Sequence, residues 1–461
     1  MSDDDIPVDQ TDNSPTMDAT ETAVDGAAVE TGMPRSRFWG VVPPEWEVVD
    51  GTEVYDVNPS YTPEEEEVTY IEMDALDTEL PFPKYATKRK AADYSGKLFR
   101  EGDTLFARIT PCTENGKTAF VDEMESDVGI GSTEYAVLSP DREHIHPLYL
   151  YYVAKSHPVR NYAISRMRGS TGRQRVPFDV FRKELEVSLP PMKEQRKTAS
   201  ILMDIDQAIE KTDEIIQQTH RVKKGVTQEL LREGTRSHDD FEDTAVGRIP
   251  SEWEVCSVGD VVEMAQYGLS KSLSTEGEYP VFRMNNIENG YMMDSPMKYI
   301  DLEDDEFEKY KVEKGDILFN RTNSYELVGK TGLFNLDGDY VFASYLVRLR
   351  TNSHADPNYL NYYLNSKKGQ DRLMAFATKG VSQANINAQN VQRILMPRPP
   401  VEEQQEIAEV IREFDRQIES NERYKSQLAR VKQGLLSDLI SGAVRTNQAD
   451  IEINPRVSNH G

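Results

Sequence analysis

"LPPMKEQRKTASILMDIDQAIE" (residues 189–210) and "RPPVEEQQEIAEVIREFDRQIE" (residues 398–419) begin alike: a proline pair, then Glu-Gln three residues after the second proline, then a helical apolar pattern. Proline suits the first turn of a helix, where its missing N–H costs nothing, so each stretch reads as a helix entrance. After Pro191 the chain runs more than forty residues without proline, and Ile201, Ile205, Ala208, Thr212, Ile215, Thr219, Val222 and Val226 alternate spacings of four and three. That is a heptad pattern. Shifting by 209 gives Val410, Phe414, Gln417, Asn421, Tyr424, Leu428, Val431 and Leu435, so the register is kept. At 1.5 Å per residue each helix is expected to be about 60 Å long. The predicted contact seam is Ile201, Ile205, Ile215 and Val222 against Val410, Phe414, Leu428 and Val431. The reading favoured over two unrelated domain covers is an antiparallel coiled coil, with the parts it joins at opposite ends about an approximate two-fold axis.

The repeat extends outward from these helices. "VPPEWEVV" (42–49) matches "IPSEWEVC" (249–256), and "EGDTLFARITPCTENGKTAF" (101–120) matches "KGDILFNRTNSYELVGKTGL" (314–333). "HPLYLYY" (146–152) matches "DPNYLNY" (356–362), with offsets that drift only from 207 to 213. A duplicated unit of this length sets the architecture. Each half shows short β-rich runs broken by Gly, Pro and Asn, with one helix opening on proline after His146 or Asp356 as cap. The expected fold is α+β: two similar mixed domains, 35–189 and 249–398, and two long helices, 190–234 and 399–442, with a linker at 235–248 and a tail at 443–461.

The 461 residues carry 53 basic and 80 acidic side chains, a net charge of -27. Residues 1–33 hold nine acids and no Lys or Arg, so segment 1–34 reads as a disordered acidic tail. The remaining acid is widespread, as in proteins of a concentrated-salt cytoplasm. Two cysteines, Cys112 and Cys256, cannot form a four-ligand zinc site, and with no signal peptide or apolar span the expected setting is a reducing cytoplasm.

Against this background two basic islands stand out: eight Lys and Arg against two acids in 155–185, and six against one in 367–398. Both precede a long helix. Duplicated islands suggest a polyanion held at two places, and Arg, Gln and Asn suit guanine and adenine edges in a major groove. The candidate DNA-contacting residues are Arg168, Arg173, Gln174 and Arg175 in "RGSTGRQRV" (168–176), and Lys379, Gln383, Asn385 and Asn387 in "TKGVSQANINAQN" (378–390). Arg108, Lys117, Arg321 and Lys330 join them from the matching "GKT" segments.

Catalytic patterns are not found. A phosphate-cradling loop needs glycine five residues before Gly-Lys, where Pro111 and Ser324 stand. "DPNY" (356–359) faintly resembles an amino-methyltransferase motif, but its repeat partner "HPLY" lacks the carboxylate. No lysine has Asp or Glu two residues before it, against a common nuclease centre, and no Ser-His-Asp or His-Glu-x-x-His arrangement can be read. The chain is expected to be non-catalytic and to bind no cofactor or metal.

With duplicated domains and heptad helices, "PPMKEQ" and "PPVEEQ" at the entrances, and "GVTQELLREG" and "GLLSDLISG" near the helix ends, the chain resembles a Type I restriction-modification specificity subunit over residues 38–443. The acidic composition adds a halophilic archaeal source to this expectation. The resemblance implies two target-recognition domains, each reading half of a bipartite asymmetric DNA target, with the helices setting the gap and docking methyltransferase subunits, two per chain. It also implies a restriction motor subunit, with S-adenosylmethionine, ATP and Mg²⁺ on the partners rather than on this chain. The competing reading is a coiled-coil scaffold with two protein-binding ends.

Overall fold

The computed structural model describes residues 33–461 except Tyr94, Thr171, Glu326 and 380–383. The expected acidic tail therefore lies, up to residue 32, outside the described residues. The chain divides into two compact units, Met1–Met203 with Gly434–Gly461, and Asp204–Gln433. No helix among the described residues is long and apolar enough to cross a membrane.

Both units use one plan. In the first, Thr104–Ala107 lies between Tyr135–Pro140 and Thr118–Phe120, with Leu105 opposite both Val137 and Ala119. In the second, Ile317–Asn320 lies between Leu346–Thr351 and Thr331–Leu333, with Leu318 opposite Arg348 and Gly332. "TLFA" and "ILFN" are buried throughout, which is why they read as unbroken runs rather than as alternating strands. A further pair joins Glu47–Asp50 to Glu186–Leu189, and Glu254–Ser257 to Leu395–Arg398. The latter strand of each pair leads into a long helix. Two short helices complete each plan, Pro147–Lys155 with His157–Ser165, and Pro357–Asn365 with Lys367–Ala375.

The long helices span Met192–Glu233 and Val401–Ser441. Their entrances are built identically. Gln195 accepts from the His146 N–H (2.8 Å) and donates to the carbonyls of His144 (3.1 Å) and Pro190 (2.9 Å). Gln404 accepts from Asp356 (3.0 Å) and donates to His354 (3.1 Å) and Pro399 (2.8 Å). Glu194 accepts from the Trp46 indole (3.3 Å), and Glu403 from the Trp253 indole (3.0 Å). The Glu-Gln pair thus fastens each helix to the "EW" strand and to the short helix of its own unit. Asp356 caps its helix as expected, accepting from Asn358 and Tyr359. His146 does not: its ring is turned inward and bonds the Val457 carbonyl (3.0 Å).

Within the second unit the long helices run antiparallel, joined by the ion pairs Asp206–Lys432 (2.5 Å), Asp213–Lys425 (2.5 Å) and Lys223–Asp415. The residue numbers of each pair have one constant total, as an antiparallel register requires. Two of the pairs are one pair written twice, because Asp206 and Lys223 shifted by 209 are Asp415 and Lys432. The duplication is therefore carried by these side chains within the helix pair as well as by the sequence around it.

The predicted seam needs correction. Ile215 (41% exposed), Val222 (45%), Val410 (40%) and Val431 (51%) face outward, and Ile201, Ile205, Phe414 and Leu428 are only half-buried. The buried line is Leu202, Asp206, Ile209 and Ile216 on the first helix, and Ile411, Ile418, Lys432 and Leu436 on the second. Apart from Thr212, which is buried on the expected line, it lies one residue further along in both. The seam includes paired charges, so an apolar count selects the neighbouring ridge.

Candidate nucleic-acid interface

Immediately after Thr104–Ala107 the chain forms one side of a small ribbon, and the first basic loop forms the other. Arg168 and Arg175 exchange backbone hydrogen bonds (3.0 and 2.9 Å), Thr110 donates to the Gln174 carbonyl (3.0 Å), and Val176 donates to that of Arg108 (2.8 Å). Gly169 (φ +130°) and Gly172 (φ +81°) supply the left-handed backbone that reverses the chain between them.

The second unit repeats this. Thr322–Asn323 pairs with Ala384–Asn385, which pairs with Thr378–Lys379, and Ile386 donates to the Arg321 carbonyl (2.9 Å), as Val176 does to Arg108. Two loops picked out by charge and two segments picked out by repetition thus meet in one ribbon per unit.

The side chains divide into root and tip. At the first root Glu134 bonds Arg108 (3.1 Å) and Arg175 (2.8 Å), while Arg108 also donates through Nε to the Val176 carbonyl (2.8 Å). The Arg108 guanidinium lies 4.1 Å from the Phe178 ring, which Lys97 approaches at 4.7 Å. Burial lowers the pKa of both Arg108 and Lys97, and Arg108 and Arg182 lower Lys97 further. Arg108 is therefore occupied internally. Lys117 is too, donating to the Met73 carbonyl (3.0 Å) with Asp74 at 3.5 Å. At the tip, Arg168 and Arg173 are exposed and Gln174 is half-buried, and no side-chain partner is seen for them among the described residues.

At the second root Arg321 donates to the Ser344 carbonyl (3.2 Å) and lies 4.9 Å from the Tyr267 ring. Asn385 bonds the Thr322 hydroxyl (3.0 Å), and Asn387 caps Ala388–Gln392 by accepting from Asn390 (2.8 Å). Lys330 is exposed and Lys379 sits on the ribbon, while Gln383 lies outside the described residues. Much of the island charge is spent internally, as with Lys183–Asp179 (3.1 Å) and Arg166–Glu184 (3.0 Å). The residues that sequence reasoning missed are Glu134, Phe178 and Tyr267, which hold the roots. The place of Glu134 opposite Tyr345 is set by the backbone, since Arg108 donates its N–H to the Glu134 carbonyl (3.0 Å) as Arg321 does to that of Tyr345 (3.1 Å), and the local sequences share too little to have shown it.

The family model for the Type I restriction modification DNA specificity domain matches residues 43–220 and 250–430. The chain belongs to that family. Its specificity domains are thus two, and each match runs from the "EW" strand into a long helix. The chain is 25% identical over 428 residues to the MjaX specificity subunit of Methanocaldococcus jannaschii, covering 88% of this chain and 95% of that one. It is 26% identical over 333 residues to the MjaVIII specificity subunit of the same organism, covering 69% and 75%. A solved chain from a type I R-M system shares the fold with a TM-score of 0.56 at 21% identity, over 87% of this chain and 99% of its own. Within this chain the two ribbons follow equivalent strands, Thr104–Ala107 and Ile317–Asn320.

Proposed function

We propose that this chain supplies the DNA address of a Type I restriction-modification complex, each ribbon entering the major groove to read one half of a bipartite, asymmetric target. The observation that carries this is a common root with unlike tips: "RGSTGRQR" (168–175) and "TKGVSQAN" (378–385) stand on the same strand-and-helix frame. Two readers in one frame with different tips suit a target whose halves differ. Arg168, Arg173 and Gln174 on one side, and Lys379, Gln383 and Lys330 on the other, carry base and phosphate contacts, while Arg175 is held at the root by Glu134. Arg108, Arg321, Asn385 and Asn387 hold the ribbons in place.

The helix pair fixes the gap and docks two methyltransferase subunits. Its outward ridge supports this, since Ile215 and Val222 have Tyr424 and Val431 as their repeat equivalents, all exposed. A two-fold that exchanges antiparallel helices is perpendicular to both, so equivalent positions share one face. That face offers apolar contacts to a partner. S-adenosylmethionine chemistry, ATP and Mg²⁺ belong to the methyltransferase and motor partners, and the complex works in the cytoplasm of a halophilic archaeon. Concentrated salt weakens counterion release, so base-edge hydrogen bonds and the joint action of two readers carry the affinity.

Methylome sequencing with and without the gene tests the assignment, and a gapped two-part motif lost on deletion is the expected result. Arg173→Ala should then relax the bases of one half only, and Gln383→Ala those of the other. Loss of discrimination in both halves with either variant would contradict modular reading.

A further inference from the structure

In the second unit the segment that anchors Arg321 also borders an open cleft of about 670 Å³, whose lining includes Lys271, Leu273, Arg283, Asn285 and Tyr345. Arg321 donates its N–H to the Tyr345 carbonyl (3.1 Å) and its Nη1 to that of Ser344 (3.2 Å), so cleft rim and ribbon root are one segment. The backbone equivalent of Tyr345 is Glu134, whose carboxylate engages both root arginines of the first unit. In the second unit that acid is replaced by a phenol ring, 49% exposed.

The lining contains no Asp or Glu, in a chain where acids outnumber bases 80 to 53. Arg283 donates through Nη2 to the Pro296 carbonyl (2.9 Å), and among the described residues its buried Nε has no partner. Lys271 leans on Glu306 (2.5 Å) from a half-exposed position. Two cations, one of them shared with Glu306 behind the lining, with an amide and serine hydroxyls suit a phosphate oxygen, and the Leu273 and Tyr345 faces suit a sugar ring.

Building on the DNA-reading function, we propose that this cleft seats one backbone phosphodiester of the duplex beside the second half-site, with the phosphate on Arg283 and Lys271 and its deoxyribose against Tyr345. Such a contact carries no base information. It fixes how the second ribbon sits in the groove.

The test uses the full-length chain and two duplexes, one carrying the methylome-defined target and one with the second half scrambled, titrated at several salt concentrations. Arg283→Gln and Lys271→Gln should each reduce the slope of log K against log salt by about one, and weaken both duplexes by the same factor, roughly three- to tenfold near 0.1 M salt. Arg283→Lys should restore the slope, which a purely structural role for the guanidinium would not. Unchanged slopes in a chain that still distinguishes the duplexes overturn the cleft proposal alone, as does a loss confined to the intact target. A wild-type chain that fails to distinguish the duplexes overturns the reading function and this proposal with it.

Discussion

Gln195 and Gln404 each satisfy three backbone groups with one amide, two carbonyls and an N–H. Replacing either with leucine leaves those groups buried and unpaired, at a cost of about 1–3 kcal/mol each before relaxation. Gln195→Leu should therefore lower stability by about 3–5 kcal/mol in urea unfolding, with Gln404→Leu doing the same. An effect below 1 kcal/mol would mean that the amide is not what fastens the helix. The duplication of this motif was legible in the sequence, but its task was not: Trp46 and His146 are partners across 148 and 49 residues. Asp103 is a second case. Burial raises its carboxyl pKa to about 6, against about 3.9 for an unfolded aspartate. The folded chain thus favours the protonated form, a contribution fully present below about pH 4 and lost as pH rises through about 6. Asp103→Asn keeps the acceptor for the Arg100 N–H (2.8 Å) and should flatten that slope, adding about 1–3 kcal/mol at pH 8. Thermal melts from pH 4 to 8 read this directly.

For the long helices, existence, length and register under the 209 shift were all readable, because a run without proline or breaks admits little else. Which ridge faces the partner was not. Asp206, Asp213, Lys223, Asp415, Lys425 and Lys432 look like solvent-facing positions until each is matched with its opposite, and the match requires the antiparallel alignment. Lys223 and Asp415 are 19% and 16% exposed, so removing one leaves a poorly hydrated charge. Lys223→Leu alone should cost about 2–4 kcal/mol, whereas Lys223→Asp with Asp415→Lys should recover most of the loss. Replacing both with leucine should still cost stability, because Asp415 also accepts from the Tyr291 (3.1 Å) and Tyr362 (2.8 Å) hydroxyls, which then lose that acceptor. Denaturation of these chains, with Lys223→Asp and Asp415→Lys alone to complete the cycle, decides among these outcomes, and additive losses in the exchanged pair would show that the two residues do not interact. On the outward ridge, Val222→Glu or Val431→Glu should abolish co-purification of methyltransferase while leaving the melting temperature unchanged.

At the scale of the molecule, repetition gave the duplicated plan and charge found the loops, yet neither separated root from tip. Arg108 and Lys117 looked as available as Arg173 because their partners, Glu134, Met73 and Asp74, lie in other strands and turns. The residues after the second long helix were readable only as a tail. They are instead packed into the first unit: Lys197 donates to the Thr446 carbonyl (3.1 Å), Val457 is fully buried, and His460 meets Asp122 at 2.5 Å. Deleting 450–461 should accelerate amide hydrogen exchange across 43–189 and leave 249–398 unchanged. Equal acceleration in both would show that the segment supports the whole chain. The twice-written Asp–Lys pair has a consequence for descent. Because each half carries the same complementary charges, a recombination event that exchanges halves between related genes would deliver offspring whose helices still match, so new addresses could be inherited by shuffling without reinventing the stalk.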